Sequence, residues 1–358
     1  MIGEYQVVNP IGKGSFSKVY LVSKSGINYA CKVISKFRNN YKIPVDRSVH
    51  REVSILQSIQ YPGVTRLIDF FQTPQFYCVV IEYAERGTLF DYIIDKEKLS
   101  EDEAKVLFKE ILLAIQALQY LNISHRDIKP ENILIDNKGL IKITDFGLST
   151  FLKSDHRAYE SCGSPCYASP ECLSGHSYDG FATDLWSAGV VLFAMVTGEL
   201  PWFSGSYNYI LKQIKRGIIS IPSNLSRPLQ TLLHGLLNAN ANQRFTVEDA
   251  LNSSWLHNVP TYLYPISNLP YFSLKKIDAI FSNCSFDIEE KEMKRCSYQL
   301  SNSKTLYYVQ EKNTQLTNSH KKFHGLNFGK HSGKSIKSKN IKKLFSFRKH
   351  FHPLIKDK

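Results

Sequence analysis

Long apolar runs are missing from this 358-residue chain. The longest, Ala188 to Val196, is interrupted by Gly189 and falls far short of the roughly 20 apolar residues that a membrane helix needs, so no transmembrane segment is expected. The start, Met1-Ile2-Gly3-Glu4-Tyr5, has neither a basic opening nor an apolar stretch, and no secretory signal is read there. Paired cysteines are missing too. None of the seven falls in a C-x-x-C, which argues against a disulfide-stapled scaffold and a zinc finger. Cys162, Cys166 and Cys172 cluster without a fourth ligand at finger spacing, so free thiols and a cytoplasmic location are expected. Acidic residues run short in one region only. Residues 1–257 hold 26 Lys/Arg against 25 Asp/Glu, and residues 258–358 hold 19 against 7, so most of the net +13 belongs to the end of the chain.

What is present is ordinary globular composition, 43% hydrophobic and 22% charged, on a chain long enough for a sizeable core. The first eighty residues read as short strands, among them Tyr29 to Ile34 and Phe76 to Ile81, interrupted by one helix over about Val45 to Ile59. After Gly87 the pattern turns helical. Ser100 and Glu103 form a capping box ahead of Val106, Leu107, Ile111, Leu112, Ile115, Leu118 and Leu121, which share one helix face. The reading is α+β: a strand-rich lobe at about 1–82, a connection at about 82–87 and a helical lobe at about 88–257, with a cleft between them. Beyond 258, prolines recur at 260, 265 and 270, and Ser, Asn and Lys then dominate. This is the composition of a flexible tail, within which Leu274, Ile277, Ile280 and Phe281 would line one face of a short helix. No internal repeat is found.

The glycine-rich stretch Ile11-Gly12-Lys13-Gly14-Ser15-Phe16-Ser17-Lys18-Val19 lies between two predicted strands. Alone it reads equally as a hairpin turn or as a loop whose amides approach phosphate. His125-Arg126-Asp127-Ile128-Lys129-Pro130-Glu131-Asn132 and, thirteen residues further on, Asp145-Phe146-Gly147 break that tie. In this order they resemble the eukaryotic protein kinases. The resemblance continues through Ser169-Pro170-Glu171, Asp184 to Gly189, Gln243 to Thr246 and Trp255, and so covers about residues 3–257.

The resemblance implies a two-lobed protein kinase fold and transfer of the γ-phosphoryl group of ATP, dependent on magnesium. Such transfer rests on positioning and charge neutralisation. By similarity Asp145 and Asn132 would hold the metal. Lys32 would contact the α- and β-phosphates, fixed by Glu52. Asp127 would act as catalytic base, and Lys129 would stabilise the group in flight. Residues 11–17 would cover the phosphates. Val19, Ala30 and Leu134 would sandwich the adenine, Ile81 would be the gatekeeper, and the backbone of Glu82 and Ala84 would meet the adenine edge. Leu56, Leu67, His125 and Phe146 would stack between the lobes above Asp184. Taken singly, Lys32 and Glu52 read as a surface ion pair and Asp145-Phe146-Gly147 as a turn. The Asp-x-Lys-x-x-Asn form implies serine/threonine protein substrates. A catalytically silent scaffold that binds nucleotide and partners is the rival reading, against which stands the presence of Lys32, Asp127 and Asp145.

Within the family, Ser161 to Glu171 and Leu89 to Ile93 look most like the AMP-activated and calmodulin-dependent group. Two departures follow. Glu160 stands where relatives carry a phosphorylated threonine, and is expected to pair with Arg126 and partly replace the phosphate. The alternative is a solvated acid, with activation moved to Ser161 or Tyr159. Thr88 replaces a common glutamate, which leaves a preference for basic substrates open, with Glu131 a partial substitute. Ser17 and Ser169 replace the usual glycine and alanine. The basic tail is read first as a regulatory or targeting extension, next as a site for anionic lipid or an acidic partner. Nucleic acid ranks last, although Phe323, Phe328, Phe345 and Phe347 interleave with the lysines.

Overall fold

The computed structural model describes residues 1–14, 17–38, 41–42, 46–202, 207–261 and 263. Its N-terminal lobe is a five-stranded antiparallel sheet of β1 (Gln6–Lys13), β2 (Ser17–Lys24), β3 (Ile27–Ser35), β6 (Leu67–Gln72) and β7 (Phe76–Glu82), in the order β1-β2-β3-β7-β6. A minor hairpin, β4 (Phe37–Arg38) with β5 (Tyr41–Lys42), leads to helix α1, Asp46–Ser58. The sheet is apolar on both faces. Tyr5, Val22, Cys31, Cys78 and Val80 form one small core, whereas Ile34 and Val79 join α1 in the main core on the opposite face. Period-two alternation along β3 produces this division and puts Lys32 on the face of Ile34, toward α1.

The helical lobe contains α2 (Leu89–Lys96), α3 (Glu101–Tyr120), α4 (Gly180–Thr197), α5 (Tyr207–Arg216), α6 (Arg227–Leu236) and α7 (Val247–Leu251). Short strand pairs lie among them: β8 (Ile123–Ser124) with β11 (Thr150–Phe151), β9 (Ile133–Ile135) with β10 (Ile141–Ile143), and β12 (Arg157–Ala158) with β13 (Tyr178–Asp179). Among the described residues α4 alone is long and apolar enough to cross a membrane. However, 83% of it is buried inside the fold, as in a core helix.

The expected helix at about 45–59 is present as α1, and the expected helix after Ser100 as α3. One local expectation is corrected. Ser100 does cap α3, its Oγ accepting from the Glu103 amide at 3.3 Å. Yet the Glu103 carboxylate takes a hydrogen bond from the Tyr92 hydroxyl and another from Lys96 Nζ at 2.6 Å. A charged donor draws the carboxylate more strongly than a neutral amide does, so the box is half made. The complete capping box is Thr246 with Asp249 at α7. The tail helix suggested at residues 274–281 lies outside the described residues.

Candidate active site

Lys32 sits on β3 opposite Val19 on β2 and Val79 on β7. Its Nζ lies 2.7 Å from Glu52 on α1 and 2.7 Å from Asp145. One cation thus joins the sheet, the helix and the strand–turn that follows β10. Burial by itself would lower the Lys32 pKa, but Asp145 and Glu52 outweigh it and raise it. Lys32 in turn holds the Asp145 carboxyl down at about 2. Glu52 is pushed up by burial, with Lys32 opposing. Asp145 adopts a left-handed conformation, φ 65° and ψ 72°, at the head of a short turn, Phe146–Leu148.

A second cluster surrounds Asp127. Its Oδ2 accepts from Lys129 Nζ at 2.6 Å and from Asn132 Nδ2 at 3.0 Å, and its Oδ1 accepts from the Ser164 amide at 2.9 Å. Lys129 also donates to Ser164 Oγ at 2.8 Å. Burial works to lower the Lys129 pKa, but Asp127 and further carboxylates raise it. The two clusters are tied together. The Thr144 amide donates to the Asn132 carbonyl at 2.9 Å, and the His125 ring meets the Thr144 carbonyl at 3.0 Å and the Phe146 ring at a centroid distance of 4.9 Å. Asp184, buried at the head of α4, accepts from the His125 and Arg126 amides at 2.7 and 2.8 Å. Its burial raises its own pKa, countered by His125 and those amides. Leu56, Leu67 and Phe146 belong to the main core.

The rest of the expected site is arranged along the two lobes. Gly12 lies opposite Val19 in the β1–β2 hairpin, and the Gly14 amide closes the turn on the Ser17 carbonyl at 2.8 Å. Ser15 and Phe16 fall outside the described residues. Ile11 is exposed, Ala30 is buried opposite Ile81, and Leu134 bridges Thr88. The Glu82 amide donates to the Arg66 carbonyl at 3.0 Å while its carboxylate meets Lys142 at 3.1 Å. Ala84 is buried. Thr88 serves as the N-cap of α2, its hydroxyl donating to the Asp91 carboxylate at 2.6 Å.

Arg126 is almost fully buried and donates through Nε to the Leu148 carbonyl at 2.6 Å. Its Nη2 reaches Glu160 at 3.3 Å, while the Glu160 side chain remains 70% exposed. Ser161 is exposed. Gly163 turns here at φ +91°, and a Cβ would stand 2.4 Å from the Arg126 carbonyl, so only glycine allows this approach. Sequence reasoning gave no role to Ser164, Tyr178 or Arg51. The Tyr178 hydroxyl holds the Glu160 carbonyl at 2.8 Å. Arg51 is depressed by burial and by Arg126, and its buried Nε has no hydrogen-bond partner among the described residues. The signal for Arg51 was its place beside Glu52; Ser164 lay within the stretch that carried the resemblance.

The family described as the protein kinase domain matches residues 5–256. The chain belongs to the protein kinase family. The chain is 38% identical over 267 residues to the SNF1-related protein kinase catalytic subunit alpha KIN12 of Arabidopsis thaliana, covering 74% of this chain and 53% of that protein. It is 36% identical over 280 residues to the carbon catabolite-derepressing protein kinase of Candida tropicalis, covering 77% and 45%. The SNF1-like protein kinase ssp2 of Schizosaccharomyces pombe is 37% identical over 271 residues, covering 75% and 47%. All three relatives are named as protein kinases, two of them as SNF1-related or SNF1-like, and the chain spans about half the length of the relatives it matches.

Proposed function

We propose that this chain is a protein serine/threonine kinase that transfers the γ-phosphoryl group of ATP to protein hydroxyls. The observation that carries the reading is a pair of contact clusters, Lys32 with Glu52 and Asp145 and Asp127 with Lys129 and Asn132, each closed at 2.6 to 3.0 Å and tied together by the Thr144–Asn132 backbone hydrogen bond at 2.9 Å. Asp127 accepts the substrate hydroxyl proton, and the donors on both its oxygens hold the carboxylate in one orientation. Lys129 lies beside that carboxylate and offers positive charge to the phosphoryl oxygens. Lys32, kept protonated by two acids, grips the α- and β-phosphates. Val19, Ala30 and Leu134 enclose the base at the connection near Glu82 and Ala84.

The donor set fits magnesium. Among the described residues no group of three or more His, Cys, Asp or Glu is set to hold an ion, but magnesium is usually held by one or two protein oxygens together with substrate phosphates. Asp145 supplies a half-exposed, ionised carboxylate. Asn132 spends its Nδ2 on Asp127, so its Oδ1 is the atom left to coordinate. When bound, magnesium would be held by Asp145 and Asn132 and would supply divalent charge that offsets the negative charge of the phosphates.

Glu160 acts as a fixed, weak substitute for an activating phosphate. A carboxylate has one charge and two oxygens, against about −1.5 to −2 and three for phosphothreonine. The single 3.3 Å contact supports partial ordering. Activity of Glu160→Ala equal to wild type after phosphatase treatment would remove this role and move activation to Ser161 or Tyr159. We assign residues 1–257 to catalysis, and residues 258–358 to a basic regulatory or targeting tail whose 19 Lys/Arg against 7 Asp/Glu suit anionic lipid or an acidic partner. The need for ATP supports a cytoplasmic setting. Retention on acidic liposomes by the full chain, lost in one ending near residue 270, tests the lipid assignment.

The activity itself is tested by transfer of labelled γ-phosphate to a mixed protein substrate. Transfer by wild type and its loss in Asp127→Asn is expected. Equal labelling by both would favour the silent scaffold.

A further inference from the structure

The family match ends at residue 256, yet the chain stays on the fold beyond it. Leu263 is 2% exposed and belongs to the main core. Its Cδ1 lies 2.8 Å from the point where a Cβ on Gly63 would stand, and Ala114 and Tyr61 come within 3.0 and 3.2 Å of the same point. The missing side chain of Gly63 is therefore the room that Leu263 uses. Gly63 is not among the residues of positive φ, so space, not backbone conformation, is what the glycine supplies. Two hydrogen bonds fix the approach. Lys109 Nζ on α3 donates to the Val259 carbonyl at 2.7 Å, and the Leu263 amide donates to Thr261 Oγ1 at 3.1 Å.

The loop beneath Leu263 serves both halves of the first cluster. It follows directly on α1, which carries Glu52. The Gly63 carbonyl accepts from the Ile143 amide at 2.8 Å, the Thr65 amide donates to the Ile143 carbonyl at 3.0 Å, and Lys142 Nζ reaches the Pro62 carbonyl at 3.0 Å. Ile143 stands two residues before Asp145, and the intervening Thr144 is bonded to Asn132.

We propose that Val259, Pro260, Thr261 and Leu263 form a strap and that Leu263 is a positioning residue. By filling the Gly63 notch it fixes the loop from which both α1, with Glu52, and the strand leading to Asp145 take their places. Close-packed interiors transmit displacement, and a deleted core group leaves a space that its surroundings only partly close. The strap thus makes the tail's first residues part of the catalytic framework. The activity arm of its test rests on the proposed kinase reading; the exchange arm does not.

The test uses the full chain and the variants Leu263→Ala, Leu263→Met, Gly63→Ala and the double change, with Leu233→Ala in α6 as an equally buried control. In Leu263→Ala the Ile143 and Thr65 amides should exchange with deuterium about tenfold faster, while amides of α6 keep their rates. The kcat/KM for ATP should fall about tenfold, Leu263→Met should restore most of it, and Gly63→Ala should lose a similar factor. The double variant should recover part of the Gly63→Ala loss, because an alanine at 263 clears the space that the new Cβ needs. Leu233→Ala should lose thermal stability without losing kcat/KM at a temperature where it is folded. Unchanged exchange at Ile143, equal loss of kcat/KM in Leu233→Ala, or no recovery in the double variant would each overturn the strap. If Leu263→Ala does not fold, Leu263→Met and Gly63→Ala carry the same comparison. If the wild type transfers no phosphate, the kinase reading fails and the exchange rates still decide the strap.

Discussion

Two arginine–glutamate pairs bracket the segment from Glu160 to Glu171, and they are built differently. Arg244 and Glu171 meet through both prongs at 2.6 and 3.0 Å, with the arginine side chain fully buried. Arg244 also donates to the Asn238 and Ala182 carbonyls at 3.0 and 2.8 Å and lies 5.0 Å above the Trp186 ring. Arg126 and Glu160 share one contact at 3.3 Å, with the glutamate largely in water. The far end of the segment is therefore clamped to the helical lobe through its side chain, whereas at the near end Tyr178 holds the Glu160 carbonyl and the Glu160 side chain keeps only a contact that solvent readily replaces. A buried ion pair is costly to break because it leaves a charge without a partner, whereas an exposed one contributes little. This segment is thus anchored at Glu171 and tuned at Glu160.

The sharpest way to break that comparison is Arg244→Ala. Stranding Glu171 should cost about 3–5 kcal/mol of stability in chemical unfolding; a loss no larger than that of Glu160→Ala would erase the distinction. Glu171→Gln keeps the shape but not the charge, and should cost about 1.5–3 kcal/mol.

Acid titration separates the pairs in another way. Burial favours the neutral form of Glu171, yet its bonds and proximity to Arg244 hold its pKa below the ordinary 4.5. A carboxyl depressed on folding adds stability that is complete above its ordinary pKa and is lost as pH falls through the depressed value. Stability should therefore drop below about pH 4.5 less steeply in Glu171→Gln than in wild type. Asp145 adds the same sign of dependence between 3.8 and about 2, and Asp145→Asn should remove that part of the slope.

The smallest effect is expected at the near end. Glu160→Ala should change unfolding stability by less than about 1 kcal/mol while lowering activity several-fold. A large stability loss there would show that the exposed contact is a second clamp.

How much of this was readable beforehand depended on how local each signal is. Asp127, Lys129, Asn132 and Asp145 lie in two short runs whose order is diagnostic. Lys32 and Glu52 were legible only through the resemblance to the kinases, since taken singly they read as a surface ion pair. The sheet and the helical lobe were legible because apolar period changes from two to 3.6 after Gly87. Contacts made across distance were not legible. Ser164 reaches Asp127 across 37 positions, and Leu263 reaches Gly63 across far more. The Ser100–Glu103 box failed for the same reason, since a four-residue pattern cannot show that Lys96 and Tyr92 will claim Glu103. Glu160 was read as the partner of Arg126, and the pairing is present, but its weakness is a matter of exposure that sequence does not display.

One cation on the sheet, Lys32, joins Glu52 and Asp145 into the site proposed to phosphorylate serine and threonine. Phosphoamino-acid analysis of a protein substrate labelled by wild type and by Lys32→Met tests it most directly. Label on serine and threonine in the first and none in the second is the predicted result. Label on tyrosine, or equal label from both proteins, would contradict it.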